Sequence, residues 1–384
     1  MYPRISDFVN DVFGTGFNWP VQSYGFFLAL AFVAGGYTLW LELKRKENEG
    51  FLTARKVPAG ARSPGWIDRL VTFVVGFIAG FKFFLLFDDY QSFADDPQGS
   101  LLSLQGNVWI GLLVGGLMLA WSYYSEKRVG GKANEDEYIY PYQHTPMLVL
   151  IAAIAGIVGA KLFHIFENMA EFSSDPMGAL LSLDGLTFYG GLLVAAGAVA
   201  WYGQKNGIHW RLMGDMVAPG LILAYGVGRM GCHVAGDGDW GIVNTLAKPD
   251  WLFLLPDWLW AYDYPNNILG EGIPIPGCDG SYCFRLAEPV FPTPVYETTL
   301  SLIIFGVLWF LRKKFSVPGV LFAIYLILNG IERFAIEQIR VNNTFDLLGI
   351  TVTQAQVIST SLIIVGIILL WWFKKYPNIL TKNK

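Results

Sequence analysis

Apolar stretches long enough to cross roughly 30 Å of hydrocarbon begin near Tyr24, Trp66, Val108, Pro146, Thr187, Gly214, Thr298, Gly319 and Gln356. Short loops rich in charge, glycine and proline separate them, so the pattern predicts about nine helical spans. The longest polar interruption runs from about 235 to 293 and is dense in Trp, Pro, Gly and Asp. Tryptophans at that density need something to pack on, which predicts a small folded insert rather than a linker. The fold expected is all-α, a polytopic transmembrane helical bundle. Residues 1–234 would carry six spans, 235–293 the insert, and 294–384 the last three.

One hairpin occurs twice, over 66–125 and 146–203. Residues 78–113 resemble 157–192 without a gap: Lys82 recurs as Lys161, "LLSL" at 101–104 as 180–183, and Gly111 as Gly190, an offset of 79. Corresponding helices of the two copies lie two spans apart along the chain, so both hairpins share one orientation, unlike the inverted halves of many transporters. The first copy has Leu85, Ile110 and Leu112 where the second has His164, Tyr189 and Gly191. The second copy is therefore expected to face something polar and the first to be packing.

Composition agrees with a membrane protein. Hydrophobic residues make up 53% of the chain, charged residues only 15%, and the mean hydropathy is +0.41, too apolar for a water-soluble fold. A net charge of −4 excludes a generally basic nucleic-acid binder. The first 20 residues lack a basic-then-apolar leader, so the first span is expected to direct insertion. Basic residues gather in alternate loops: Lys44, Arg45 and Lys46; Lys127 and Arg128; Lys205 and Arg211; Arg312, Lys313 and Lys314; Lys374 and Lys375. The positive-inside rule then places the N-terminus outside, the C-terminus inside and the insert outside the cytoplasm. Cys278 and Cys283 lie in that insert, on the oxidising side, where they can pair.

An ionisable group inside a span costs several kcal/mol unless paired or hydrated. Arg229 lies near the outer end of the sixth span. Arg333, Glu337 and Arg340 stand at i, i+4 and i+7 on the eighth, on one helical face. Tyr24, Tyr189 and Glu297 open the first, fifth and seventh spans. All converge at headgroup depth in the outer leaflet, and paired guanidinium groups there suit a phosphate. Simpler roles exist for each: an intrahelical pair for Arg333 and Glu337, belt anchors for Tyr24 and Tyr189, snorkelling for Arg229 and Arg340, a satisfied core position for His164. The inner halves of the spans read as almost purely apolar, which argues against a polar transport path.

The most specific string is "YGVGRMGCHVAGDGDWG" from Tyr225 to Gly241. No strand precedes it, so it is not a glycine-rich nucleotide loop. It resembles the signature G-R-x-G-N-F-x-N-G-E of the prolipoprotein diacylglyceryl transferase family, here Gly228, Arg229, Met230, Gly231, Cys232, His233, Val234, Ala235, Gly236 and Asp237. Other landmarks follow in order. Tyr24–Gly25 opens the first span; "FYGGLL" at 188–193 stands where the family has His-Gly-Gly-Leu; "FPTPVYE" at 291–297 resembles His-Pro-Thr-Gln-Leu-Tyr-Glu; "NGIERFAIEQIR" at 329–340 resembles Tyr-Gly-x-x-Arg-Phe-x-x-Glu-x-x-Arg; Gln356 and Ser359 match a final Gln-x-x-Ser. Cys232 and Ala235 replace signature asparagines, Asp237 the glutamate, Tyr189 the usual histidine and Asn329 a tyrosine. The family usually has about seven spans, so the first hairpin, 66–125, reads as a duplicated insertion.

The resemblance implies a bacterial inner-membrane enzyme that moves a diacylglyceryl group from phosphatidylglycerol to the lipobox cysteine of a prolipoprotein signal peptide, releasing glycerol 1-phosphate at the outer leaflet. A thiol of ordinary pKa near 8.5 needs a base or a positive field to attack, and a leaving phosphate monoester needs fixed cations. The expected catalytic residues are Arg229, Arg333, Tyr189, Glu337 and His233. Tyr24, Gly190, Asp237, Glu297 and Arg340 are expected to bind substrate, with Arg229 on the lipid phosphate. Such a transfer requires neither metal nor cofactor. Two rivals are Cys232 as a covalent nucleophile and a lipid or anion transporter built on the same arginines; a third is a same-fold transferase with a changed donor or acceptor.

Overall fold

The computed structural model describes residues 1–16, 19, 21–57, 66–83, 105–130, 137–174, 176, 187–278, 280–342, 344–347 and 349–377. Leu85 and both copies of "LLSL" lie outside them. The chain forms two compact units.

One unit holds residues 4–22 and 54–139. Helix α1 (Ile5–Phe13) is opened by Asp7, whose carboxylate accepts from the Arg4 backbone N–H at 2.9 Å. Helices α3 (Trp66–Phe83) and α4 (Val108–Gly130) form an antiparallel hairpin, and a two-stranded sheet pairs β1 (Arg55–Val57) with β2 (Glu137–Ile139). Phe73, Phe77 and Phe81 stack along α3 at i, i+4 and i+8, each pressed on a glycine of the facing segment: Gly115, Gly111 and Gly106.

The other unit holds residues 1–3, 23–53 and 140–384. Its helices are α2 (Ser23–Asn48), α5 (Thr145–Glu167), α6 (Met169–Ser174), α7 (Phe188–Lys205), α8 (Trp210–Ala235), α9 (Thr293–Leu311), α10 (Val320–Ile336) and α11 (Gln354–Lys375). Helix α8 packs against α2 and α9, α5 against α7, and α10 against α11. One core joins α2, α5 and α8 through Leu43, Leu148, Leu212 and Met216. A second joins α8, α9 and α10 through Ile222, Ile304, Leu308 and Leu321. Gln356 and Ser359 are structural: Gln356 closes a capping box with Thr353, and Ser359 packs its backbone on Gly330.

Among the described residues four helical stretches are long and apolar enough to cross a membrane: Ser23–Asn48, Pro141–Glu167, Thr293–Leu311 and Gln354–Lys375. The protein is thus mostly helical and membrane-spanning. Helix α8 is less apolar than these because it carries Arg211, Asp215 and Arg229. The helix ends around Glu42, Arg312 and Asp215 are also less apolar than the hydropathy pattern predicts. Glu42, 1% exposed, pairs with Arg45 at 2.5 Å and Arg312 at 2.9 Å, and Asp215 caps α10 through the N–H groups of Gly319 and Phe322 at 2.7 and 2.8 Å. The buried carboxylates of Glu42 and Asp215 are thus each met by neighbouring donors, as a packed helix junction requires.

The backbone hydrogen bonds of the two hairpins correspond in a register that differs from the gapless alignment. Asn107 N–H bonds the Phe81 carbonyl as Thr187 N–H bonds that of Ala160, and Gly111 N–H bonds Asn107 as Gly191 N–H bonds Thr187. The first helices therefore match at an offset of 79 and the second helices at 80. The structural counterpart of Tyr189 is Trp109 rather than Ile110, and that of Gly191 is Gly111.

In the insert, strand β3 (Ile273–Pro274) pairs with β4 (Phe284–Arg285), and Cys278 is bonded to Cys283. Tyr264 and Asn267 are its buried centre; Trp240 packs on Tyr264 at 4.9 Å, and Trp258 on His233. Trp251 instead stands out of the fold, 77% exposed.

Candidate active site

Helix α8 stops at Ala235 with Gly236 in the left-handed conformation (φ 66°), and Gly238 (φ 93°) reverses the chain so that Asp239 returns toward the helix end. The turn is pinned where α9 begins: Thr293 Oγ1 donates to the Asp239 carbonyl at 2.8 Å, and Gly241 N–H to that of Phe291 at 2.9 Å. Helix α9 lies close on α8 because Gly226 has no side chain; a Cβ there would come within 2.9 Å of the Ser301 Cβ. This approach puts Glu297, fully buried, against Arg229.

Glu297 is the hub of a buried charge cluster. Its Oε2 accepts from Arg229 Nε at 2.6 Å and pairs with Nη2 at 2.5 Å. Its Oε1 accepts from Tyr225 Oη at 2.9 Å, Arg333 Nη1 at 3.1 Å and Arg340 Nη1 at 3.4 Å. Arg229 Nη1 also donates to Asp239, while Arg340 Nη2 reaches the other Asp239 oxygen at 2.6 Å. Arg333 Nη2 pairs with Glu337 at 2.9 Å, and Asn342 Nδ2 holds the second Glu337 oxygen at 2.6 Å. Three guanidinium groups thus meet three carboxylates, and each carboxylate lies against more than one cationic or amide group, the condition under which buried charge is tolerated.

Arg333, Glu337 and Arg340 do not reach the cluster from one helical face. Helix α10 ends at Ile336, residues 337–339 tighten into a 3₁₀ turn, and Arg340 is extended (φ −94°, ψ 153°). Arg340 forms an antiparallel bridge with Gly241, and Ile242 N–H bonds the Ile339 carbonyl at 2.9 Å. It is turned inward, its side chain 12% exposed, rather than snorkelling.

The other expected residues divide. Tyr24, on the first turn of α2 beside Gly231, lies within Coulombic reach of Arg229, Cys232, Asp237 and Asp239. Tyr189, on the first turn of α7, lies within such reach of Arg333. Gly190 is a packing position, since a Cβ there would strike Phe163 at 2.3 Å. His233 stands apart from the cluster, bonded to Tyr264 Oη at 3.2 Å among Trp258, Tyr262 and Tyr264. His164 meets Asn168 Nδ2 at 3.0 Å, one turn along its own segment. Among the described residues Asp237 takes no arginine; Asp239 does, although the signature aligns with Asp237. A second glycine–aspartate step in "GDGD" was the one signal for this choice.

Burial raises both carboxyls of this turn. For Asp239, Arg229 and Arg340 outweigh that effect and hold it below the usual carboxylate range. For Asp237 nothing outweighs it, and the neighbouring Asp239 charge pushes it further up. Ligand atoms of Cys232, Asp237 and Asp239 lie within 4.8 Å of one another. Arg229, however, already bonds Asp239 and approaches Cys232 Sγ at 3.6 Å, which fills the cation's place.

The cluster's residues fall within the region that matches a known family. The model of the family described as prolipoprotein diacylglyceryl transferase matches residues 132–372, beginning downstream of the first hairpin. The phosphatidylglycerol–prolipoprotein diacylglyceryl transferase of Symbiobacterium thermophilum is 31% identical over 65% of this chain and 84% of its own length. The enzymes of that name from Vibrio atlanticus and Aeromonas hydrophila are 26% and 25% identical, over 70% and 76% of this chain and 86% and 96% of their own lengths. With a match that spans most of the chain and takes in Arg229, Glu297, Arg333 and Arg340, this chain belongs to the prolipoprotein diacylglyceryl transferase family.

Proposed function

We propose that this chain transfers the diacylglyceryl group of phosphatidylglycerol to the lipobox cysteine of a prolipoprotein, the first step of bacterial lipoprotein maturation. It would act at the outer leaflet of the inner membrane, within a bundle of about nine spans with the N-terminus outside. The thiol sulfur forms a bond to the glyceryl carbon, the bond from that carbon to the phosphate oxygen breaks, and glycerol 1-phosphate leaves with the electron pair. The thiol proton passes to a protein base or to the leaving phosphate.

The observation that carries this reading is the convergence of Arg229, Arg333 and Arg340 on one buried hub, Glu297. Asp239, 33% exposed, is the cluster's most open member, so an anion enters beside it. Arg340 Nε has no hydrogen-bond partner among the described residues and is a donor free for that anion. Arg229 and Arg340 then share the lipid phosphate, and Arg333, held by Glu337, stabilises charge on the leaving oxygens. Tyr189, near Arg333 and where the family has histidine, handles the proton. Tyr24 and Asp237 line the approach to Arg229.

The test is purified protein in phosphatidylglycerol vesicles with a lipobox peptide, read by mass spectrometry for a diacylglyceryl adduct on the peptide cysteine. Arg229→Ala and a Cys→Ser peptide should each abolish the adduct. Folded protein that forms no adduct overturns the proposal in favour of another donor or acceptor, or of transport.

A further inference from the structure

The sequence between 246 and 260, "LAKPDWLFLLPDWLW", repeats Pro-Asp-Trp-Leu at 249–252 and 256–259. Each copy forms a 3₁₀ turn, Asp250–Leu252 and Asp257–Leu259, preceded by its proline. Between them the chain displays Trp251, Phe253 and Leu254 at 77%, 75% and 81% exposure, flanked by Leu246 at 64%. Four large apolar side chains at such exposure in nine residues form a patch, not scattered surface residues.

We propose that this loop dips into the membrane beside the candidate site, placing Trp251, Phe253 and Leu254 among the glycerol esters and upper acyl chains of the lipid leaflet. Three observations choose lipid as the occupant. First, the loop's backbone is largely self-satisfied. The N–H groups of Leu252, Phe253, Leu255, Leu259, Trp260 and Ala261 all bond carbonyls within the loop, and Lys248 Nζ takes the Leu255 carbonyl. Backbone that enters an apolar layer must meet that condition, whereas a protein-docking loop need not. Second, the loop is tied to the start of a span. Tyr296 Oη, on the first turn of α9, donates to the Leu259 carbonyl at 2.6 Å, and Asn244 Nδ2 donates to that of Trp260, also at 2.6 Å. Trp260 Nε1 closes the loop on the Leu246 carbonyl at 2.9 Å. A loop fixed there sits at the level where a helix enters the bilayer. Third, charge is kept at the base. Lys248 pairs with Asp257 at 2.9 Å, and Asp250 and Asp257 each open a turn, leaving 251–255 wholly apolar. Tryptophan, apolar with one N–H donor, is the side chain suited to that boundary.

The consequence reaches the site. Tyr296 precedes Glu297, so a loop anchored in the leaflet sets the depth of α9's first turn and with it the depth of the charge hub. The inference depends on residence in a bilayer and not on the transferase chemistry, so failure of the adduct assay leaves it standing.

The test places a fluorophore on Leu254→Cys and, separately, on Phe253→Cys, with Glu288→Cys as an exposed charged control in the same insert. Cys232 is buried and Cys278 is bonded to Cys283, so the introduced thiol is the reactive one. Full-length protein is reconstituted in vesicles containing lipids spin-labelled at acyl carbon 5, with iodide as the aqueous quencher. The expected result is a blue-shifted probe at 253 and 254, quenched several-fold more by the labelled lipid than by iodide, with the reverse at 288. Iodide quenching at 253 and 254 equal to that at 288 overturns the proposal. So does protection that appears only when a lipobox peptide or a higher protein concentration is added, since the occupant would then be a peptide or a second copy.

Discussion

Glu297→Gln tests the site reading most directly, because it removes one charge and almost no volume. Glu297 is fully buried and holds Arg229, Arg333, Arg340 and Tyr225. Without its charge, three guanidinium groups face only Asp239 and Glu337. Breaking a buried pair by neutralising one partner costs about 3–5 kcal/mol. If that cost falls on the geometry of the phosphate site, it corresponds to a loss of about 10²-fold or more in adduct formation, at roughly 1.4 kcal/mol per tenfold. The paired assay is a detergent melt and the lipobox adduct measurement. Arg333→Gln added to Glu297→Gln should recover part of the stability, with a coupling of about 0.5–3 kcal/mol, while activity stays lost. Glu297→Gln protein that melts like wild type and transfers within threefold of it would refute the hub. A lowered melt with full activity would make the cluster structural only.

Asp239→Asn should lower transfer by about 10²-fold, because Asp239 spans two arginines, whereas Asp237→Asn should stay within threefold; equal losses would return the signature carboxylate to Asp237. The sign with pH follows. Asp239 is depressed in the folded protein, so its stabilisation is present above the ordinary aspartate value of about 3.9 and is lost as pH falls through the lower folded value. Melts below about pH 4 should therefore drop in wild type more steeply than in Asp239→Asn. Tyr189→Phe should cut turnover by about 10²-fold with an unchanged melt, the scale of a lost proton-transfer group; full turnover would move the proton elsewhere. Cys232→Ser should retain transfer within about threefold, since the acceptor brings its own thiol; an inactive but folded Cys232→Ser would restore the covalent alternative.

Much of the candidate site is legible in the sequence, for a reason specific to membranes. A charge inside an apolar run is costly, so Arg229, Arg333 and Glu337 stood out against their surroundings, and Glu297 opened a span. Their pairing was not legible. Arg229 and Glu297 are 68 residues apart, and Arg340 and Asp239 101. Periodicity relates residues a turn or two apart, so it carried Arg340 along a continued helix, whereas the helix ends at Ile336 and a bridge to Gly241 delivers the side chain.

One-residue choices were likewise settled in three dimensions. The repeat keeps its composition under an offset of 79 or 80, and only the backbone bonds of Asn107 and Thr187 decide between them. Likewise "GDGD" offers two carboxylates, and the reversal at Gly238 turns Asp239, not Asp237, onto the arginines. The family resemblance puts His233 among the expected catalytic residues, yet the insert's aromatics enclose it. The sequence by itself determined the membrane class, the family and the residues too costly to be idle, since composition and local pattern carry transfer free energy. The tertiary structure alone decided which charges meet, because hydrogen bonds between distant segments depend on how helices cross and where they end, and neither is a property of a local window.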